Sequence, residues 1–202
     1  MSAWLKTILR IEGMIRRTHG GLLAFGLLPG IAVGMIPAPA SGQSAPVAES
    51  KVKAALVANF VAFVDWPESA FPGTNSPIVV AVLGKDSIGK DLELALERKS
   101  TKGRRLFFRR VLADSELRGC HVLFVPSSER KRVRDTFDKL GQVSVLTIGE
   151  SDDFLDQGGV INFLLKDGSV RFEINLKPAQ VSGLKLDANL VKIAESVRGK
   201  YE

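Results

Sequence analysis

Unbroken apolar runs alternating with helical patterns, followed by a hairpin signal near the end of the chain, predict an α/β protein. The expected architecture is a mostly parallel sheet with helices on both faces and a C-terminal β-hairpin. Three observations carry this. Residues 78–83, 122–125 and 143–148 are continuous apolar runs, the mark of strands buried on both faces. Between them, residues 91–97 set Leu92, Leu94 and Leu96 among charges, and residues 128–140 place Val133, Phe137 and Leu140 at i, i+4 and i+7 behind a Ser127 cap. Finally, Asp167-Gly168 separates two apolar-rich runs, residues 160–165 and 170–176, and favours the two-residue turn whose central positions both need positive φ.

Taken in order, the first segment concerns export. Lys6, Arg10, Arg16 and Arg17 precede an apolar stretch over residues 21–36, which ends in the small residues of Pro37-Ala38-Pro39-Ala40-Ser41-Gly42. A basic front, an apolar middle and a small-residue end are the parts of a secretory signal peptide. The middle is short for the ~20 residues that span a bilayer. Cleavage is expected after Ala40 or Gly42, giving residues 1–42 as signal peptide and 43–202 as a single domain. A cut after Gly42 removes four basic residues and Glu12, so the net charge of +6 becomes +3. The nucleic-acid reading that a pI of 9.6 invites weakens with it. The 202 residues, 45% hydrophobic and 25% charged, otherwise fit one soluble domain without repeats.

The helical pattern over residues 47–64 is apolar on two sides. Val52, Leu56, Asn59, Phe60 and Phe63 form one stripe, and Val57, Val61 and Val64 another. Such a helix needs two neighbours: the sheet, and another helix, a second copy or a membrane-protein partner. Val57, Val61 and Val64 are therefore the expected dimer or partner face. Asn59, inside the first stripe, requires a hydrogen bond, and Asp65-Trp66-Pro67 ends the helix because the residue before proline leaves the α region.

Catalytic chemistry finds little footing. Residues 84–91 follow a strand and nearly match a phosphate-binding loop, but Asp91 stands where a Ser or Thr hydroxyl would meet Mg²⁺. The segment reads instead as a strand-to-helix loop capped by Asp86. No G-x-S-x-G motif occurs. Cys120 and His121 are adjacent in a strand expected to be buried, so their side chains diverge. A single cysteine forms no intramolecular disulfide and no multi-cysteine metal site. Asp152 and Asp153 read as the first turn of a short helix. No catalytic residue, metal or cofactor is expected.

Pairing outward from Asp167-Gly168 sets Leu164 opposite Arg171, Phe163 opposite Phe172 and Asn162 opposite Glu173. One face is then Ile161, Phe163, Leu165, Val170, Phe172 and Ile174, all core material. The other gathers Asn162, Arg171, Glu173 and Asn175, the candidate partner- or ligand-binding set. Basic residues cluster at Lys99, Lys102, Arg104, Arg105, Arg109 and Arg110, and again at Arg130, Lys131, Arg132 and Arg134. Without an aromatic ladder they read as a solvated face or as attraction to anionic lipid or an acidic partner, not as a nucleic-acid platform.

The stretch from Lys53 to Pro67, Lys-Ala-Ala-Leu-Val-Ala-Asn-Phe-Val-Ala-Phe-Val-Asp-Trp-Pro, resembles the opening signature of the YfiR family. The resemblance continues through Leu83-Gly84, Gly119-Cys120-His121-Val122-Leu123-Phe124-Val125, Ser127-Ser128-Glu129, Phe154 with Gly158-Gly159, and Ile161-Asn162-Phe163. It ends with Val170-Arg171-Phe172-Glu173-Ile174-Asn175-Leu176 and Gly183-Leu184-Lys185-Leu186, so it covers about residues 50–194. It implies a periplasmic α/β regulator that tends to dimerise. Such a regulator binds the periplasmic sensor region of a membrane-bound diguanylate cyclase and holds it inactive, which lowers cyclic di-GMP and restrains biofilm formation. The several cysteines of the characterised branch are absent, which excludes redox control through an internal disulfide. The alternative is a periplasmic small-molecule-binding sensor module, its ligand at Arg171 and Asn162, feeding a membrane kinase.

Overall fold

The computed structural model describes residues 45–85, 88–141 and 143–200. The leader expected over residues 1–42 and the Asp86 cap lie outside them. In chain order the elements begin with α1 (Ala45–Phe60), a 3-10 turn (Val61–Phe63), β1 (Val64–Asp65), β2 (Ile78–Leu83) and α2 (Ile88–Leu96). There follow β3 (Ser100–Thr101), β4 (Arg104–Val111), β5 (Val122–Val125), a 3-10 turn (Ser127–Arg132), α3 (Val133–Leu140) and β6 (Leu146–Gly149). The C-terminal part holds β7 (Ile161–Lys166), β8 (Ser169–Asn175), α4 (Leu176–Val181), β9 (Lys185–Leu186), α5 (Ala188–Lys192) and β10 (Ser196–Arg198).

Eight strands form one sheet in the order β10-β8-β7-β6-β5-β2-β4-β3, and β1 pairs with β9 in a two-stranded sheet. The central steps β7-β6-β5-β2-β4 are parallel, while the β7/β8 hairpin and the short β3/β4 pair are antiparallel. This is the expected mostly parallel α/β sheet. Every residue of β2, β5 and β6 is buried, as strands covered on both faces must be.

The two-sided helix finds both neighbours within the chain. Phe60 packs on Phe163 and Phe172 of the hairpin at ring separations of 5.9 and 4.8 Å. The second neighbour is α2, which lies along α1. Val57, Val61 and Val64 are fully buried, which corrects the expectation that they face a dimer mate or partner. The helix also stops short of Val64. Phe63 O accepts the Asp187 N–H at 2.8 Å, and Val64 pairs with Leu186, so tertiary bonding draws the last turn into β1. Asn59 accepts a hydrogen bond from Lys99 Nζ at 3.2 Å, tying α1 to the end of α2.

Other expectations needed adjustment. Ser127 caps nothing: Pro126 precedes the 3-10 turn, and the Ser127 N–H is taken by Glu150 Oε1 at 3.0 Å. The strand expected over residues 143–148 is confined to Leu146–Gly149, with Val143 exposed. Asp152 and Asp153 sit in turns rather than a helix, and Asp153 pairs with Arg130. Leu165, assigned to the core face of the hairpin, is 61% exposed because β7 runs on past the end of its neighbour β6.

Candidate functional site

The hairpin takes the expected register, with Asn162 opposite Glu173, Phe163 opposite Phe172 and Leu164 opposite Arg171. Asp167 and Gly168 adopt φ of 50° and 71°, the left-handed pair a two-residue turn requires. Asn162, Arg171, Glu173 and Asn175 therefore share one face, in different surroundings. Asn175 is committed locally: Nδ2 donates to Leu155 O at 3.3 Å, and Oδ1 caps α4 by accepting the Lys177 N–H at 3.2 Å. Glu173 Oε2 accepts from the Ser196 hydroxyl at 2.8 Å, where β10 lies alongside β8. Arg171 is half-buried, and its charge reaches Lys166 and Glu195, which form an ion pair with each other beside the turn.

Asn162 is the unusual member. It is 3% exposed, and its Oδ1 accepts no hydrogen bond from the described residues. A buried acceptor without a donor costs about 1–3 kcal/mol. Asn162 pairs with Gly149 of β6, and Phe154 closes over Gly149 and Gly159 so tightly that a Cβ at either would collide with its ring. The Phe154-Gly158-Gly159 part of the sequence pattern thus builds a lid of backbone and aromatic ring beside the Asn162 amide.

Two further arrangements went unrecognised in the sequence. His121 Nδ1 accepts the Val79 N–H at 3.1 Å, so in the neutral ring Nε2 carries the proton and donates to Ala70 O at 3.1 Å. The ring stacks on Phe71 at 4.6 Å, and Trp66 Nε1 donates to His121 O at 3.3 Å. His121 therefore pins the Trp66-to-Phe71 segment against β2. Burial, then the nearby charges of Arg104 and Arg109, push its pKa down against the opposing Ala70 carbonyl. At the other end of the sheet Lys53 on α1 reaches Glu150 at 2.6 Å and Glu49 at 2.6 Å. Burial alone would lower its pKa, but the two carboxylates outweigh it and hold the ammonium above its ordinary value.

The basic residues of the β3/β4 region are largely tethers. Lys102 holds Val64 O and Asp65; Arg104 donates to Gly73 O and Ser76 O and lies 3.7 Å over the Phe71 ring; Arg110 donates to Gly84 O. Cys120 is buried, its thiol pushed up to about 11 by desolvation, which leaves it almost entirely protonated at neutral pH. It lines a cavity of about 730 Å3 with Leu117, Arg118, Lys139 and Val145, at the end of β5 and β6 opposite the hairpin turn. Among the described residues no group of three His, Cys, Asp or Glu side chains could hold a metal ion.

Fold and site together define a mostly parallel α/β domain with a polar hairpin at one end of its sheet and several of its charged groups, among them Lys102, Arg104 and Arg110, holding loops. The chain belongs to the YfiR/HmsC-like family (DUF4154), whose model matches residues 50–195. That family is one of periplasmic regulators in cyclic di-GMP signalling, regulatory rather than catalytic. No helix among the described residues is long and apolar enough to cross a membrane. Solved structures share the fold, among them these two. One is a conserved domain protein from Vibrio cholerae O1 biovar eltor str. N16961, with TM-score 0.51 and 10% identity, covering 74% of this chain and 60% of that one. The other is the ABC domain from Streptococcus pneumonia in complex with L-Trp, with TM-score 0.51 and 11% identity, covering 71% and 60%. The chain thus spans about 60% of the length of each. No curated protein matches it.

Proposed function

We propose that the protein is exported, cleaved near Ala40 to Gly42, and binds the periplasmic sensor region of a membrane-bound diguanylate cyclase. Binding holds the cyclase inactive and so lowers cyclic di-GMP and biofilm formation. The family match across residues 50–195 is the observation that carries this reading. The cyclase makes its product on the far side of the membrane, so the regulator acts through protein contact alone and needs no nucleotide site.

Arg171 is the residue proposed to grip the partner. Its planar fork can hold a carboxylate in two places, and the hairpin fixes it in register between strands. If that carboxylate is desolvated in the complex, Arg171→Ala costs about 2–5 kcal/mol of binding. Pull-down from detergent-solubilised membranes, with wild type and Arg171→Ala side by side, tests this. Wild type should retain a membrane protein with a cyclase domain and the variant should lose it, at nearly equal melting temperatures. Equal capture by both moves the contact elsewhere.

One observation favours a second reading, a small-molecule-binding sensor module. The buried, unpaired Oδ1 of Asn162 would be satisfied by a ligand donor reaching beneath Phe154. Under that reading Asn162→Leu abolishes ligand-induced stabilisation while raising the melting temperature of the protein alone. A variant less stable than wild type would show that the amide is already satisfied.

A further inference from the structure

The outer edge of β4 has the features of a docking strand. β3 covers β4 only at Arg104 and Arg105. The Leu106 N–H points away from β2, to Lys99 O, whereas Val111 O points toward it, to Gly84 N. Alternation along the strand then turns the N–H and C=O of Phe108 outward, on the side where no strand among the described residues follows. Side chains alternate too, so Arg105, Phe107 and Arg109 share one sheet face. Phe107 is 57% exposed and Leu112, just beyond the strand, 50%. Arg105 is exposed and makes no ion pair among the described residues, and Arg109 donates only to the carbonyls of Glu116 and Arg118. Glu116, whose charge reaches Arg109, is held by the N–H groups of Leu112 and Ala113 past the end of β4.

We propose that β4 accepts an extended acidic segment of a partner protein as an added strand. The segment hydrogen-bonds outward-facing backbone at Phe108, beyond the end of β3, and sets an apolar and an acidic side chain, two residues apart, against Phe107 and Arg109, with a second acidic side chain at its β3 end diagonal to the exposed Arg105. A second copy of this chain is the poorer occupant. Two β4 edges brought together antiparallel would set Arg105 and Arg109 of one copy opposite or diagonal to those of the other, according to register, and like charges across a strand pair repel. The same cations that guard the edge against its own kind leave it open to an acidic strand. This surface is separate from the hairpin and does not depend on Arg171.

The test uses the purified protein and two labelled seven-residue peptides, in which threonine alternates with Glu, Leu and Glu or with Lys, Leu and Lys. By fluorescence anisotropy the acidic peptide should bind saturably and weaken about tenfold or more as salt is raised through the range that screens exposed charges. The lysine peptide should not bind. Arg105→Glu, at an exposed site that leaves the fold intact by circular dichroism, should abolish that preference, since the row then carries one anion and one cation, and Phe107→Thr should weaken binding of the acidic peptide. Hydrogen exchange at the Phe108 amide should slow about tenfold in the complex, as for any amide drawn into a ladder. Failure of the acidic peptide to bind, binding indifferent to Arg105→Glu, or protection away from β4 overturns the proposal. So does a concentration-dependent dimer that protects the Phe108 amide without any peptide, which would make the occupant a second copy.

Discussion

His121 illustrates how one side chain in this protein substitutes for local structure. Its ring satisfies a strand amide, Val79 N–H, and a loop carbonyl, Ala70 O, and stacks on Phe71, joining three segments that are otherwise covalently distant. Only the neutral ring with its proton on Nε2 can do both. Its pKa is lowered in the folded state, so folding favours release of the proton. That contribution is fully present above the ordinary imidazole value of about 6.5 and is lost as pH falls from there toward the folded value. Thermal melts of wild type should therefore lose stability from pH 7 to 5, and His121→Ala should flatten that slope while costing about 1–3 kcal/mol at pH 7 for the stranded Val79 amide. An unaltered slope in the variant would assign the acid sensitivity to carboxylates instead. His121 was invisible as a clamp in the sequence because its bonding partners lie 42 and 51 residues away. Adjacency to Cys120 suggested only that the two would diverge.

At the scale of elements, the strongest periodic signals read correctly and the shortest elements did not. The continuous runs of β2 and β5, and the register of the β7/β8 hairpin about Asp167-Gly168, followed from composition and turn chemistry. Two- and three-residue strands such as β3, β9 and β10 have no periodicity to read and exist only through distant pairing. The amphipathicity of α1 announced two neighbours but could not say which, and the answer was the sheet and α2. Val61 accordingly belongs to the core. Val61→Glu should unfold the domain, costing about 4 kcal/mol or more for a buried carboxylate, and a folded variant with altered association would reverse that assignment. In the hairpin, Gly168 at φ 71° carries the turn, so Gly168→Val should cost about 1–2 kcal/mol in urea denaturation. A neutral result would mean that the turn readily takes another form. Of the candidate site, Arg171 and Glu173 lie where the pattern put them, but the commitment of Asn175 to Leu155 and α4 depended on a loop and cap that no strand alternation encodes.

For the whole molecule, the fold supplies a rigid sheet with buried central strands, a hairpin at one end and a basic open edge at β4. Family membership is the observation on which the proposed regulatory role rests. The protein is proposed to act by contact on a membrane cyclase, and that enzyme's output is the quantity to measure. Inverted membrane vesicles prepared with the mature protein, Arg171→Ala or no protein sealed in their lumen should be supplied with nucleoside triphosphate from outside. The lumen then presents the regulator to the sensor region while the catalytic domain faces the assay. Wild type should lower cyclic di-GMP formation, with Arg171→Ala close to the vesicles that hold no regulator. Cyclic di-GMP formation unaffected or raised by the sealed-in wild type would contradict the proposed action.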